Sequence, residues 1–432
     1  MAVSSLVSLI SKKIIKPSIP TPPPLRSHKL SFVDQLLHMY IPIAFFYPKT
    51  SNDKSYESSN VSQLLEISLS KALSSYYPYA GRVKDDSSSV DCNNTGVEFS
   101  HVRVHCPMSE ILTHTCTGAE SVVFPNRNNP YKDEGNLAIA QVSYFDCGGI
   151  AVGGCLSHKI GDGCTAGNFF YNWGVLSRDI NAMLSPHFVG ESVYPQSNDP
   201  SVVSTIKPEE PGYVGKRFVF PATKVNALKA KFSFDSGVQN PTRTEVVSAL
   251  IYKCALAAGK ENLGSFKPSS LFQVADMRQR LNSPLSYDAC GNLISGFSVE
   301  TTNERDVNCP RLVREMRIEK EKLQDKENAT KNAFTSEVVD SLKKGKKAFS
   351  SDILDYYFCS SLIAFPLYKT DFGWGRPARV SFATGPFNRF FILMDNQSGG
   401  GVEAIVMLDE QDMLIFERDP EILEFAIPVP NH

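Results

Sequence analysis

The apolar residues of this chain come in short runs; the longest, Ile41 to Tyr47, is already broken by Pro42. No run approaches the roughly 20 residues that a helix needs to cross a bilayer, so no membrane partner is expected and the apolar side chains must be buried against one another. With 432 residues, 42% hydrophobic and 21% charged, the chain is long enough to build a large core divided among domains. A formal net charge of -2 removes the basic excess with which nucleic-acid binders neutralise phosphates, and nucleic acid is excluded as a partner on that ground.

The N-terminal stretch MAVSSLVSLISKKIIKPS places its lysines after its apolar patch, the reverse of a secretory signal. The ten cysteines include no CxxC pair and fit reduced thiols rather than a disulfide framework. Together these point to the cytoplasm, where a sequon such as Asn328-Ala-Thr330 is a chance match.

Residues 17–24 (PSIPTPPP) can form neither helix nor central strand and are expected to run extended over the surface. From Val61 to Tyr77, Leu64, Leu65, Leu69, Ala72, Leu73 and Tyr76 recur at helical spacing until Pro78 stops the pattern, which predicts an amphipathic helix. Residues 97–104, 137–145 and 150–157 read as strands, the last ending at His158, and TAGNFFYNWGVLSR beyond them predicts a helix capped by Thr165. Between Arg178 and Gly215, prolines and serines without periodicity mark a crossover.

The second half restarts with the strand KRFVF, a helix from Thr242 to Ala258 opened by the capping box Thr242-x-x-Glu245 and ended by Gly259, and the buried strand SLFQVADMR. Residues 307–326 predict a solvated, densely charged helix, and RVSFAT, FFILMD and VEAIVML return to strand. The expected architecture is a mixed α/β (α+β) fold of two domains, 1–195 and 216–432, joined by a linker at 196–215.

Two constellations carry chemistry. His158 and Asp162 flank a glycine turn at a strand end, where side chains reach clefts, and a neutral imidazole there can take a proton from a hydroxyl. Asp162 either orients that ring or pairs with an arginine to fix the turn. The other is Asp371-Phe-Gly-Trp-Gly375, which sets Trp374 between Gly373 and Gly375, as a stapled β-turn or a contributor to a site. His101 and His105 would lie about 13 Å apart on one face of a strand, too far to share a metal, and no metal site is expected. No GxSxG elbow argues for a serine hydrolase.

His158-Lys-Ile-Gly-Asp162-Gly163 followed about 210 residues later by Asp371-Phe-Gly-Trp-Gly375 resembles the plant BAHD family of CoA-dependent acyltransferases. Leu30-Ser-Phe-Val-Asp34, SLSKALSSYYPYAGRV from Ser68 and DCNNTGVEF from Asp91 extend the resemblance along nearly the whole chain, and it is strongest to the branch of vinorine synthase-like alkaloid O-acetyltransferases. One motif departs: the family's YFGN-type segment here reads Tyr287-Asp-Ala-Cys-Gly291-Asn292, which argues against the malonyl-transferring branch.

The resemblance implies a chloramphenicol acetyltransferase-like fold with a channel between two domains and His158 at its centre as general base. Asp162 would turn away into a salt bridge with Arg278, and Asp371 and Gly373 would support the structure. Trp374 Nε1–H or a backbone amide would stabilise the oxyanion, and Thr242 with Arg243 would meet the phosphates of CoA. The expected activity is transfer of acetyl from acetyl-CoA, a co-substrate rather than a bound cofactor, to a hydroxyl of a plant specialised metabolite such as a monoterpene indole alkaloid. No acyl-enzyme is implied, and a monomer is expected. The alternatives are a hydroxycinnamoyl or other larger acyl transferase and a non-catalytic CoA-binding relative.

Overall fold

A computed structural model describes residues 6–49, 58–114, 117–125, 129, 131, 135–196, 213–323, 354–383 and 387–429. The chain divides into two compact units: Met1–Ile206 with Ser286–Leu293 and Phe365–Ala383, and Lys207–Leu285 with Ile294–Ala364 and Thr384–His432. A single cut at 196–215 would therefore miss two short segments of the second half that fold with the first. Most of that linker, 197–212, lies outside the described residues, as does the Asn328 sequon.

The first unit is built on a six-stranded sheet in the order Val7–Ile15, Val97–Val104, Ala138–Phe145, Ile150–Ser157, Tyr40–Tyr47, Arg379–Phe382. All neighbours are antiparallel except the parallel pair Val97–Val104 and Ala138–Phe145. Ile150–Ser157 and Tyr40–Tyr47 are buried at every position, which is why both read as mostly apolar segments rather than alternating ones. Arg379–Phe382 pairs with Tyr40–Tyr47 and buries Val380 and Phe382, giving this edge to a strand that follows the rest by more than 200 residues of sequence.

Two long helices accompany the sheet. Ser58–Ser75 follows the predicted pattern, with Val61, Leu65, Leu69, Ala72 and Leu73 fully buried. Gly163–Arg178 buries Phe169, Phe170, Trp173 and Leu176, and each such side chain contributes on the order of 1.5–3 kcal/mol. The buried Trp173 indole N–H donates to Ser68 Oγ (3.0 Å) of the neighbouring helix, so no polar group is lost in that packing. The cap of Gly163–Arg178 corrects the sequence reading: Asp162, not Thr165, is the N-cap, and Thr165 is the residue whose N–H it accepts.

The second unit carries a seven-stranded sheet in the order Ile294–Thr301, Ser269–Asp276, Asp355–Ser361, Phe390–Asp395, Val402–Asp409, Tyr213–Phe220, Ile427–Pro428. Helices Ala222–Ser236, Arg243–Leu263 and Cys309–Lys322 pack with it around one core that includes Leu250, Phe391 and Val406. Arg243–Leu263 runs past Gly259 and ends at Gly264, which takes the left-handed cap (φ 75°); tertiary burial of Ala255 and Ala258 carries the helix through the earlier glycine. Cys309–Lys322 is less solvated than its charge predicts, since Cys309, Leu312, Val313 and Met316 are buried along one side. No helix among the described residues is long and apolar enough to cross a membrane.

Candidate active site

His158 follows the last residue of strand Ile150–Ser157, and its backbone N–H donates to Met39 O (2.8 Å) at the start of the neighbouring strand. The ring Nδ1 stands 2.9 Å from Asn292 Oδ1. The orientation of that amide is dictated by its other end: Asn292 Nδ2 meets His158 O (2.5 Å) and Asp34 Oδ1 (2.7 Å), both of which can only accept. The NH₂ must therefore lie on that side and Oδ1 must face the ring, so Nδ1 carries the hydrogen and donates. The lone pair is left on Nε2, which has no hydrogen-bond partner among the described residues.

Burial pushes the His158 imidazole below its ordinary value of 6.5, opposed by the Asp162 carboxylate and by the hydrogen bond to Asn292. The ring is thus neutral at neutral pH, the form that accepts a proton. Asn292 is fully buried in segment Ser286–Leu293, which folds with the first unit despite lying 134 residues along the chain. Gly291 makes that approach feasible. Its φ is 135°, and a Cβ there would meet Gly190 Cα at 2.9 Å.

Asp162 is buried and does not turn its carboxylate to the ring. Oδ1 accepts from Thr165 N (2.9 Å) and Thr165 Oγ1 (3.1 Å), and Oδ2 accepts from Leu293 N (3.1 Å). It caps the helix and staples the turn to the Asn292 segment, so its effect on His158 is through position and charge. The sequence assigned no role to Asn292 or Asp34, although Asp34 stood in a segment that carried the resemblance and Asn292 in the one that departed from it; the missing signal was their proximity, which spacing does not encode.

The DFGWG segment is placed elsewhere in the same unit. Asp371 Oδ1 accepts from Gly373 N (2.7 Å) and Gly375 N (2.9 Å), its Oδ2 lies 3.7 Å from Arg178 Nη1, and Gly373 and Gly375 take positive φ (109° and 87°). This is the stapled turn. The Trp374 ring lies edge-on to Tyr47, centroids 5.5 Å apart. Tyr47 ends a strand that begins beside His158, about 26 Å away at 3.3 Å per residue. A second ruler agrees: the Asp371 backbone abuts Gly174, about 18 Å along the helix from Asp162. Trp374 is therefore too distant to donate to an oxyanion formed at His158, and that expectation is corrected.

Arg278, Thr242 and Arg243 belong to the second unit. Arg278 is fully buried, with Nη1 donating to Asp276 Oδ1 (3.0 Å). The Thr242 hydroxyl accepts from Glu245 N (3.2 Å) while Glu245 Oε2 accepts from Thr242 N (2.7 Å), closing the expected capping box. Arg243 Nη1 pairs with Asp395 Oδ1 (2.6 Å) and donates to Gly401 O (3.0 Å), so a phosphate would have to share this guanidinium. His101, weighed above as a ligand, is buried and faces Glu66 Oε1 (3.3 Å).

A family model described as the Transferase family matches residues 5–423. The chain is 47% identical to the acyltransferase Pun1 of Capsicum frutescens over 98% of each protein. It is 40% identical to the 17,18-epoxy-17-hydroxycur-19-ene N-malonyltransferase of Strychnos nux-vomica over 97% of this chain and 90% of that one. It is 34% identical to the deacetylvindoline O-acetyltransferase of Catharanthus roseus over 96% of this chain and 97% of that one. The crystal structure of vinorine synthase is similar with a TM-score of 0.83 at 30% identity, covering 97% of this chain and 98% of that one. That of F. sporotrichioides TRI101, complexed with coenzyme A and T-2, shares the fold with a TM-score of 0.73 at 17% identity over 93% and 99%.

Proposed function

The chain belongs to the BAHD family of acyl-CoA acyltransferases, and on that premise we propose that it transfers an acetyl group from acetyl-CoA to a hydroxyl of a plant specialised metabolite, with a monoterpene indole alkaloid as the acceptor class to test first. The observation that carries this reading is the state of His158: neutral, with Nδ1–H held by Asn292 and the lone pair on Nε2. A group in that state is a general base, worth roughly 10²- to 10⁴-fold in rate.

His158 Nε2 takes the proton as the acceptor oxygen attacks the thioester carbonyl, giving a tetrahedral oxyanion. The C–S bond then breaks, and the departing CoA sulfur recovers the proton from the imidazolium. The acyl group passes directly between substrates with no acyl-enzyme, so the protein contributes positioning and a dry, preorganised environment. Backbone amides are the proposed oxyanion donors in place of Trp374. Arg278 as counter-charge to Asp162, and Thr242 with Arg243 toward the CoA phosphates, remain part of the proposal, with a monomer in the cytoplasm as its setting.

A second reading, in which the transferred acyl group is other than acetyl, is favoured by the relative named an N-malonyltransferase at 40% identity. The test is thiol release from acetyl-CoA by wild type and His158→Ala, with a pool of plant alcohols and mass detection. Release that depends on both the pool and His158, with a product about 42 mass units heavier (acetyl for hydrogen), supports acetyl transfer. Silence with acetyl-CoA but turnover with malonyl- or hydroxycinnamoyl-CoA selects the second reading. Silence with every donor while CoA still binds overturns both in favour of a non-catalytic relative.

A further inference from the structure

Asp34 is buried and, among the described residues, no lysine or arginine pairs with it; its partners are neutral N–H donors. Its two oxygens have separate tasks. Oδ2 accepts from Ser31 N (2.7 Å) in the capping box that opens helix Phe32–Leu36, and with that oxygen fixed, Oδ1 is aimed at Asn292 Nδ2 (2.7 Å). Asn292 passes the contact on through Oδ1 to His158 Nδ1 (2.9 Å). We infer that Asp34 is a positioning residue for His158, its carboxylate holding the Asn292 amide so that the imidazole keeps its hydrogen on Nδ1 and its lone pair on Nε2.

A buried carboxylate that no cation neutralises stabilises a fold poorly. It is well placed, however, to stabilise a positive charge that exists only while His158 holds the substrate's proton. Two hydrogen bonds separate the carboxylate from the ring, and each polarises the next. Burial raises the Asp34 carboxyl to about 6, opposed by its bonds to Asn292 and Ser31, so it is largely ionised at neutral pH. Asp162 is the other charge acting on the ring, but its oxygens are taken up by Thr165 and Leu293, which leaves the ring-side bond to Asn292. A plain capping role would use Oδ2 alone and does not account for the Oδ1 contact.

This inference rests on His158 being the general base, and the experiment separates the two. Asp34→Asn keeps the shape but turns one acceptor into a donor, so either Ser31 N or Asn292 Nδ2 loses its partner. The expected result is a kcat lowered about tenfold or more, part of the 10²- to 10⁴-fold a general base supplies, with KM for acyl-CoA within about twofold. Nitrogen-15 spectra of labelled histidine, with the His158 signals identified by their loss in His158→Ala, should show the ring titrating at lower pH than in wild type. A folded Asp34→Asn protein with wild-type kcat and an unchanged ring titration overturns the inference. If that variant does not fold, Asn292→Ala leaves the Asp34 cap intact and must lower kcat similarly and mix the ring tautomers; wild-type kcat and a retained Nδ1–H tautomer overturn it. The spectra need no turnover, so an active His158→Ala would sink the base assignment while leaving the Asp34 link separately readable.

Discussion

His158 draws its place from Met39, which holds its backbone N–H, and its chemical state from Asn292 and, through the turn, Asp162. Replacing it with Ala should lower kcat about 10²- to 10⁴-fold while the melting temperature stays close to wild type, because the ring's hydrogen bond to Asn292 is the one polar contact removed among the described residues. Near-wild-type turnover in that variant would count against the base. Its folded-state pKa lies below the unfolded value of 6.5, so the neutral form persists below that pH and the acid limb of kcat/KM should fall below 6.5. A limb centred well above 6.5 would mean a different group is titrating. Asp162→Ala acts differently, since it leaves the N–H groups of Thr165 and Leu293 without their acceptor, and should cost about 2–4 kcal/mol by thermal or urea unfolding. Trp374→Phe should keep kcat within about twofold, because the indole sits against Tyr47 at the far end of the strand; a hundredfold loss would restore it to the site.

Among the elements, the short segment Gly291-Asn292-Leu293 matters beyond its length, since it brings the amide to His158 and the Leu293 N–H to Asp162. Gly291→Ala puts a Cβ into Gly190 and a side chain into a disfavoured φ; the expected result is a kcat loss of about tenfold or more with helix content unchanged by circular dichroism. Helix Arg243–Leu263 has its own acid sensitivity. Burial pushes Glu245 up, but Arg317 (2.8 Å), the Thr242 N–H and Lys320 outweigh it and hold the carboxyl at about 2 against an ordinary 4.5. Its folded value is depressed, so the stability it contributes is present above 4.5 and is lost as pH falls from 4.5 toward 2. Glu245→Gln should flatten that part of the stability–pH curve measured by urea unfolding; an unchanged slope would show that other carboxylates govern it. The strands, the helical stretches and the Thr242 capping box were legible because period-2 and period-3.6 patterns and capping residues act within a few positions. The misjudged ends were tertiary decisions: burial carried Arg243–Leu263 past Gly259, and Asp162 took the cap because Leu293 and Thr165 both present N–H groups to it.

At the scale of the molecule, the sequence alone determined the family, the mixed α/β fold in two halves, and the residue types on which the chemistry depends, because motif identity and hydrophobic period are local properties of the chain. It also singled out His158 and Asp162, which lie four positions apart on one turn. What it did not determine was the company each residue keeps. The first unit recruits Ser286–Leu293 and Phe365–Ala383 from the second half of the chain, and with them Asn292 arrives beside His158 while Trp374 is carried to the opposite strand end. Such placements depend on contacts between residues hundreds of positions apart, which close only when sheet order and register are fixed and buried polar groups must find partners. The tautomer of His158 is the sharpest instance: an imidazole's proton is assigned by its neighbour, and only the folded chain brings that neighbour to it.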